Sequence, residues 1–166
     1  ESTKLKSGAK VFLHKVSKPE LYGVAKINKN KKIIKIVEKP KKFVSDYAIT
    51  GLYFFDNKVV KLAKKLKPSK RGETEIIDLL NNYKKRNKLK ADFIGRGGVW
   101  LDTGSIKDFY NTSSFVSTIE NRQGFKIACL EEISFLNKWI KRKEIENSIK
   151  FYGNCEYSNY LKKIIS

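Results

Sequence analysis

The sequence predicts an α/β or α+β fold, followed by an all-helical C-terminal tail. β-branched and aromatic runs dominate residues 9–55, two helical patterns precede a further strand at 89–94, and only helical patterns follow Gly124. The order of these elements leaves the N-terminal edge of the predicted sheet incomplete. A length of 166 residues, 40% of them hydrophobic, is typical of one ordinary globular domain.

The first half of the chain contains four predicted strands. Residues 28–31 (NKNK) join two short strands as a hairpin turn. The run 47–55 (YAITGLYFF) predicts a central strand buried on both faces, and Gly51 inside it suggests that another group approaches the backbone closely. The other three strands lie at residues 9–16, 22–27 and 32–37.

Two helices and two strands follow. Asp56 is predicted to cap a helix over 57–67, and a second helix over 74–87 has one apolar side. That side consists of Ile76, Ile77, Leu80 and Tyr83. The two strands are predicted at 89–94 and 99–102.

The C-terminal part opens on Ser105 and Asp108, which are spaced as in a capping box at the start of a helix over 106–122. Gly124 is predicted to end this helix, because glycine accepts the left-handed conformation found at many helix C-termini. Three more helices are predicted at 130–138, 142–150 and 156–165.

Composition excludes several classes of function. The formal charge is +19, but only 5 of the 36 basic residues are arginine. Nucleic-acid binders rely on arginine for bidentate contacts, so we expect no specific nucleic-acid partner. The single histidine, His14, excludes sites that need two His ligands, and Cys129 and Cys155 do not make a disulfide framework. No apolar run reaches about 18 residues, so we expect a cytoplasmic protein without a membrane span.

Two short motifs suit a ligand that carries hydroxyl groups and a phosphate. Glu38-Lys39-Pro40 ends a strand, where a carboxylate accepts from hydroxyls and an ammonium meets phosphate oxygens. Tyr22-Gly23 allows a ligand to touch the backbone, because glycine has no side chain. Taken alone, each motif is more typical of an ordinary turn.

Two further motifs precede helices. Residues 70–73 (KRGE) bring Arg71 to a helix N-terminus, which favours anions. Residues 100–104 (WLDTG) place Asp102 at a strand end, where open α/β sheets hold ligand and metal residues. One aspartate cannot by itself build a magnesium site, and capping the next helix is the alternative role of Asp102. Trp100 is more often a core residue than a ligand platform.

Taken together, these stretches resemble the C-terminal half of the sugar-nucleotidyltransferase family. The similarity covers most of residues 9–135 in the family's order and spacing. Its last stretch, 115–133 (FVSTIENRQGFKIACLEEI), is characteristic of the thymidylyltransferase branch. The other matching stretches are 22–24, 38–40, 48–58, 71–76 and 95–104.

The resemblance implies an α/β fold, namely the C-terminal part of a Rossmann-like mixed sheet with flanking helices. It also implies an enzyme in which an oxygen of glucose-1-phosphate attacks the α-phosphorus of dTTP in line and pyrophosphate leaves. Such catalysis consists mostly of positioning and charge neutralisation. The implied cofactor is Mg²⁺, held in part by Asp102.

The resemblance further implies roles for single residues. Glu38 accepts hydrogen bonds from glucose hydroxyls, and Lys39 and Arg71 neutralise the sugar phosphate. Lys39, Arg71 and Asp102 are the implied catalytic residues, and Trp100 supports the Asp102 loop. The other implied sugar-binding residues are Tyr22, Gly23, Ile49, Thr50, Gly51 and Tyr53.

The resemblance covers only half of the family's chain. The Gly-rich nucleotide-binding loop (G-x-G-T-R-L-x-P) and the second metal aspartate belong to the N-terminal half and do not occur in these 166 residues. We therefore expect that this polypeptide alone cannot turn over dTTP. The absence of methionine and a first strand at residue 9 fit a fragment or a processed product.

The resemblance divides the chain into a sugar-phosphate-binding part, 1–125, and a helical oligomerisation or regulatory segment, 126–166. Members of the family are homotetramers of the dTDP-rhamnose pathway of carbohydrate biosynthesis, with a regulatory nucleotide site between subunits. Leu136 replaces a family arginine of that site, which should weaken feedback inhibition. The residues at its other positions are Arg96, Gly97, Glu132 and Ile133.

Three other functions stay open at this point. The chain could belong to a uridylyl- or cytidylyltransferase, because the base is chosen in the other half. It could be a non-catalytic regulatory or oligomerisation module, although the joint presence of Glu38, Lys39, Arg71 and Asp102 speaks against that. It could also be a lysine-rich nucleic-acid binder, which would show tight, salt-sensitive DNA binding.

Overall fold

The computed structural model describes residues 5–69 and 72–166. The chain folds as two compact units, one that ends at Trp100 and one that runs from Leu101 to Ser166. Each unit has its own apolar core, and each is described by itself below.

The first unit is built on a mixed five-stranded sheet in the order β3-β2-β4-β1-β5. Only β1 and β5 pair in parallel, and the other pairs are antiparallel. The predicted hairpin is confirmed, because the Asn28 side chain accepts from the backbone N–H groups of Asn30 and Lys32. The strands are β1 (Ala9–Lys15), β2 (Val24–Ile27), β3 (Ile33–Val37), β4 (Tyr47–Phe55) and β5 (Leu89–Phe93).

Strand β4 has the predicted bounds and a central place, but it is not buried along its whole length. Ala48, Ile49 and Thr50 are buried, whereas Gly51 and Leu52 are exposed. β2 pairs with β4 only at Ala48, near the start of β4. The later residues of β4 therefore have no neighbouring strand on the β2 side. The prediction of burial on both faces is therefore wrong for the second half of the strand.

One helix covers the core face of the sheet. Helix α2 (Ile76–Lys85) packs its buried side against β1, where Val11 and Leu13 are fully buried. The buried residues of the helix are Ile77, Leu79, Leu80 and Tyr83. Ile76, predicted to face inward, is instead 36% exposed, because it is the first residue of a helix that starts later than predicted.

The predicted helix over 57–67 is shorter, and Asp56 does not cap it. Helix α1 spans Val59–Ala63, and its N-cap residue is Lys58. The Asp56 carboxylate is 8% exposed and accepts from the Gly8 N–H at 2.7 Å, the Tyr83 hydroxyl at 2.8 Å and the Lys58 N–H at 3.1 Å. It therefore joins the start of β1, the end of β4 and helix α2.

The second unit is helical. Helix α3 (Ile106–Gln123) begins as predicted, with Ser105 accepting from the Asp108 N–H, and ends at Gly124 with a φ of 72°. Three tail helices, α4 (Leu130–Leu136), α5 (Arg142–Tyr152) and α6 (Glu156–Ile165), follow close to the predicted ranges. Within the described residues, no helix is long and apolar enough to cross a membrane.

No strand forms at 99–102, contrary to the prediction. The Trp100 ring packs edge-on against Tyr22 and His14, with centroid distances of 5.1 and 6.2 Å. Of this short run, Trp100 packs in this way, whereas Val99 and Leu101 are exposed. Asp102 consequently lies in an irregular segment and not at the end of a strand.

Candidate functional site

The β2–β3 hairpin brings Gly23 and Glu38 together. Val24 pairs with Val37, so the residues just outside this pair, Gly23 and Glu38, lie opposite each other. The Lys39 N–H donates to the Tyr22 carbonyl at 3.1 Å and holds the two chain ends in this arrangement. The motifs around residues 22 and 38, which are each unremarkable as turns, therefore form one feature.

Position 23 has little space for a side chain. A Cβ on Gly23 would lie 2.8 Å from Glu38 Oε2, closer than real Cβ contacts, and 3.0 Å from Ile77 Cδ1, tighter than most of them. The φ of Gly23 lies outside the left-handed region, so the requirement is steric and not conformational. The missing side chain is what allows the Glu38 carboxylate to approach the backbone.

Strand β4 adds two residues to the same feature. The Ile49 N–H donates to the Gly23 carbonyl at 2.7 Å and joins β4 to the hairpin. Burial, and next the negative charge of Glu38, raise the pKa of the Tyr53 hydroxyl above its usual value. Tyr53 therefore stays a neutral hydroxyl, able to donate and accept, within the field of Glu38.

Glu38 also lines a cavity of about 370 Å³ in the first unit. Five of its eight lining residues are polar and three are apolar, and the Ser69 hydroxyl donates to the Glu75 carboxylate at 3.1 Å. Carboxylates accept hydrogen bonds from hydroxyl groups, so the lining suits a ligand rich in hydroxyls. Its other polar lining residues are Ser69, Glu75, Asp78 and Asn81.

Lys39 is exposed and has a left-handed backbone, with a φ of 38°. Lysine rarely adopts this conformation, and such strain persists only where the surroundings fix it. Here the hydrogen bond from Lys39 to the Tyr22 carbonyl and the buried Pro40 fix the backbone on either side.

Two other residues of the predicted sugar wall differ from each other in their surroundings, and their roles stay predictions. Thr50 is 2% exposed, and its hydroxyl donates to the Phe12 carbonyl at 3.0 Å, where the β1–β4 register shifts. Its hydroxyl is thus already engaged within the fold. A Cβ at Gly51 would meet no described atom within 4 Å, so nothing in this part of the chain makes the predicted close approach.

The remaining predicted site residues fall in separate parts of the chain, and their convergence on one site stays a prediction. Arg71, with Lys70, lies outside the described residues. Asp102 belongs to the second unit and is exposed, and its carbonyl accepts from the Thr112 hydroxyl at 3.4 Å. Trp100 belongs to the first unit and packs against Tyr22.

The predicted regulatory residues also fall into both units. Arg96 and Gly97 lie in the turn after β5, where the Gly98 N–H donates to the Gly95 carbonyl. Glu132 and Ile133 lie on α4, and the Glu132 carboxylate accepts from the Tyr160 hydroxyl at 2.6 Å. The regulatory assignment stays a prediction.

Asp102 alone does not make a metal centre. Within the part of the chain that the structure describes, no three His, Cys, Asp or Glu side chains are placed to share a metal ion. Mg²⁺ is usually held by one or two carboxylates together with substrate phosphates. The single carboxylate of Asp102 is thus compatible with a shared magnesium site but does not build one.

Sequence reasoning missed Ile77 and His14. Ile77 was assigned to the core, but its side chain also closes the space beside Gly23. His14 contacts the Trp100 ring, which in turn contacts Tyr22. Neither contact has a local sequence signal, since the partners are 54 and 86 positions away along the chain.

Comparison with known proteins identifies the family. Residues 1–119 match the sequence family described as "Nucleotidyl transferase". This match covers well over half of the 166 residues. The chain belongs to the nucleotidyl transferase family.

Individual relatives of this nucleotidyl transferase chain carry a more specific name. It is 43% identical over 158 residues to the glucose-1-phosphate thymidylyltransferase of Neisseria meningitidis, covering 95% of this chain and 55% of the relative. It is 44% identical over 154 residues to the enzyme of that name from Xanthomonas campestris, covering 93% and 52%. The chain thus spans about half the length of these curated relatives.

Solved structures confirm the α/β nucleotidyltransferase fold. A Bacillus anthracis protein described as a glucose-1-phosphate thymidylyltransferase, in complex with sucrose, matches with a TM-score of 0.60 and 46% identity, over 68% of this chain and 45% of that one. A UDP-glucose pyrophosphorylase complexed with UDP-glucose matches with a TM-score of 0.59 and 25% identity, over 67% and 44%.

Proposed function

We propose that this chain supplies the sugar-phosphate site of a glucose-1-phosphate thymidylyltransferase, which transfers dTMP from dTTP to glucose-1-phosphate and releases pyrophosphate. The observation that carries the proposal is the close approach of Glu38 to Gly23, beside a cavity lined by hydroxyl-accepting groups. The names of the relatives described above support this substrate pair.

In the proposed reaction an oxygen of the sugar phosphate attacks the α-phosphorus of dTTP, the α–β phosphoanhydride bond breaks, and pyrophosphate leaves. Glu38 accepts from glucose hydroxyls, and the backbone of Gly23 and Ile49 borders the sugar. Lys39 and Arg71 neutralise the phosphate of the nucleophile, so the chain mainly positions and neutralises charge. Asp102 would supply one carboxylate to a Mg²⁺ ion, and the chemistry that this ion would supply is to offset the negative charge of the phosphates.

We expect the isolated chain to bind glucose-1-phosphate but not to release pyrophosphate from dTTP. The reason is that the 166 residues lack the Gly-rich phosphate loop that the family places in its other half. Binding is measured by NMR titration with glucose-1-phosphate, and turnover by a coupled pyrophosphate assay with Mg²⁺. Adding the part of the Neisseria meningitidis relative that this chain does not cover should restore turnover.

Either of two results would contradict this proposal. Robust pyrophosphate release by the isolated chain would show that the reaction needs nothing beyond these residues. If the chain did not bind glucose-1-phosphate, it would have no sugar-phosphate site. Galactose serves as the uncharged control.

Substitutions at Lys39 and Asp102 should separate binding from chemistry in the reconstituted enzyme. Lys39→Ala should raise the KM for glucose-1-phosphate about tenfold, because a charge-assisted contact to phosphate is lost. Asp102→Asn should lower kcat by about 100-fold with little change in that KM, because a carboxylate for the metal is lost. Lys42→Ala, another exposed lysine three residues along, is the control for Lys39. Equal and mild effects of the two substitutions would mean that these roles are misassigned.

A uridylyltransferase is the second candidate, because a UDP-glucose pyrophosphorylase is among the structural neighbours. The base contacts would lie in the part of the relatives that this chain does not cover. Competition between dTTP and UTP in the reconstituted enzyme distinguishes the two. We further propose that the enzyme is a cytoplasmic homotetramer of the dTDP-rhamnose pathway. Its feedback inhibition would be weakened by Leu136.

A further inference from the structure

A second cavity lies in the first unit, at the carboxyl ends of the parallel strands β1 and β5. Its volume is about 380 Å³, and the last residues of β1 and the chain after β5 line it. None of its lining residues is shared with the Glu38 cavity. Ligands of open α/β sheets bind outside the carboxyl ends of parallel strands, so this is a favourable place for a site.

Two aromatic rings and two ammonium groups meet in this cavity. Tyr47 and Phe93 contact each other edge to face, with their centroids 5.4 Å apart. Lys15 Nζ lies 5.4 Å from the Tyr47 centroid, and Lys31 Nζ lies 5.6 Å from the Phe93 centroid. The cations are therefore placed over ring faces, where they are attracted to the rings.

The charge of the lining is of one sign. Lys15, Lys31 and Arg96 line the cavity, and no carboxylate does among the described residues. Asp46 pairs with Lys15 at 3.3 Å, but neither Lys31 nor Arg96 has an ion-pair partner within the described part of the chain. A ligand that enters this cavity meets an apolar floor and, at Lys31 and Arg96, positive charge that has no ion-pair partner among the described residues.

One buried polar atom in the lining also lacks a partner. His14 lines the cavity, and its Nδ1 is buried without a hydrogen-bond partner in the described structure. Successive side chains of a strand point to opposite faces, so the His14 ring, which packs against Trp100, lies on the other face of β1 from Lys15 and its partner Tyr47. His14 therefore borders the cavity as a reporter and is not part of its aromatic face.

We propose that this cavity binds a small aromatic anion, a planar ring that carries a phosphate or a carboxylate group. The ring packs against Tyr47 and Phe93, and the anionic group pairs with Lys31 and Arg96. The site is separate from the proposed sugar site. It shares Arg96 with the predicted regulatory site, whereas the neighbouring Gly97 does not line it.

The single histidine makes the proposal directly testable, because the ring signals of His14 in an NMR spectrum are unique. The full chain is titrated with phenyl phosphate, with benzoate, and with inorganic phosphate and benzyl alcohol as separate controls. We expect a saturable shift of the His14 signals with at least one aromatic anion. We expect no saturable shift with either control. The comparison of phenyl phosphate with benzoate tells which anionic group is preferred.

Two variants of the same hairpin turn separate a site from general attraction to a basic protein. Lys31→Gln should weaken binding by about fivefold, because the charge over the Phe93 ring is lost. Lys29→Gln removes the same charge from an exposed position outside the cavity and should leave the affinity unchanged. The proposal fails if no aromatic anion saturates the His14 shift, if inorganic phosphate reproduces it, or if both variants weaken binding equally.

Discussion

Replacing Asp56 by alanine should lower the free energy of unfolding of the first unit by about 3 kcal/mol. The substitution leaves the Gly8 N–H and the Tyr83 hydroxyl without their acceptor, and Tyr83 is only 2% exposed. Each buried unsatisfied donor costs about 1–3 kcal/mol. Urea unfolding checks this, and a Trp139→Phe background leaves Trp100 of the first unit as the only tryptophan.

Two further variants show whether the loss comes from burial. Asp46→Ala removes an aspartate whose side chain is 44% exposed and pairs with Lys15, so it should cost less than about 1 kcal/mol. Tyr83→Phe removes one of the three donors, and its effect should not add fully to that of Asp56→Ala. A loss from Asp56→Ala as small as that from Asp46→Ala would contradict the role given to Asp56.

The same carboxylate should make stability depend on pH. The Gly8 N–H is the main cause that holds the pKa of Asp56 below its usual value of 3.8, with smaller contributions from Tyr83 and Lys58. A carboxyl group with a lowered folded-state pKa stabilises the fold above its unfolded pKa, and this stability is lost as pH falls through the folded value. The difference between wild type and Asp56→Ala should therefore shrink below about pH 4. The pKa of the hydroxyl that donates to Asp56 is shifted in the opposite direction, because burial and Asp56 raise the pKa of Tyr83 to about 12.

Asp56 also shows what sequence reasoning could not reach. Its position before an apolar helical pattern predicts an N-cap, but its strongest partners lie 48 and 27 residues away. Local patterns carry no information about such pairs. Strand β4 is the opposite case, because six β-branched or aromatic residues within nine predict its bounds from the local sequence.

The candidate site likewise has one part that the sequence predicts and one part that it does not. The hairpin turn at Asn28 predicts the β2–β3 pairing, and that pairing brings residues 23 and 38 opposite each other. The steric need for glycine at position 23 could not be predicted, because it depends on Ile77 of a distant helix. The strand predicted at 99–102 does not form. Trp100, which contributes to the apolar pattern there, packs against Tyr22, a distant residue that the local sequence does not reveal.

Gly23→Ala should impair binding of glucose-1-phosphate much more than it impairs folding. The new Cβ would lie 2.8 Å from Glu38 Oε2, which is the end of a flexible side chain and can move away. Its contact with Ile77 Cδ1 at 3.0 Å needs only a small shift. We therefore expect a loss of stability under about 1 kcal/mol. The Kd for glucose-1-phosphate, measured by NMR titration of this chain, should rise about tenfold, which corresponds to about 1.4 kcal/mol.

A double-mutant cycle with Glu38→Ala decides whether Gly23→Ala weakens sugar binding through the Glu38 carboxylate. If Gly23→Ala weakens binding by displacing Glu38, the variant that combines it with Glu38→Ala should bind no more weakly than Glu38→Ala alone. Gly95→Ala is the control for adding a methyl group, because a Cβ there would meet no described atom within 4 Å. Additive losses would mean that the alanine blocks the sugar directly, with Glu38 still in place. Unchanged affinity in Gly23→Ala would mean that the approach of Glu38 to the Gly23 backbone has no part in sugar binding. The added methyl group must displace the Glu38 carboxylate in any case, because the two would otherwise lie too close together.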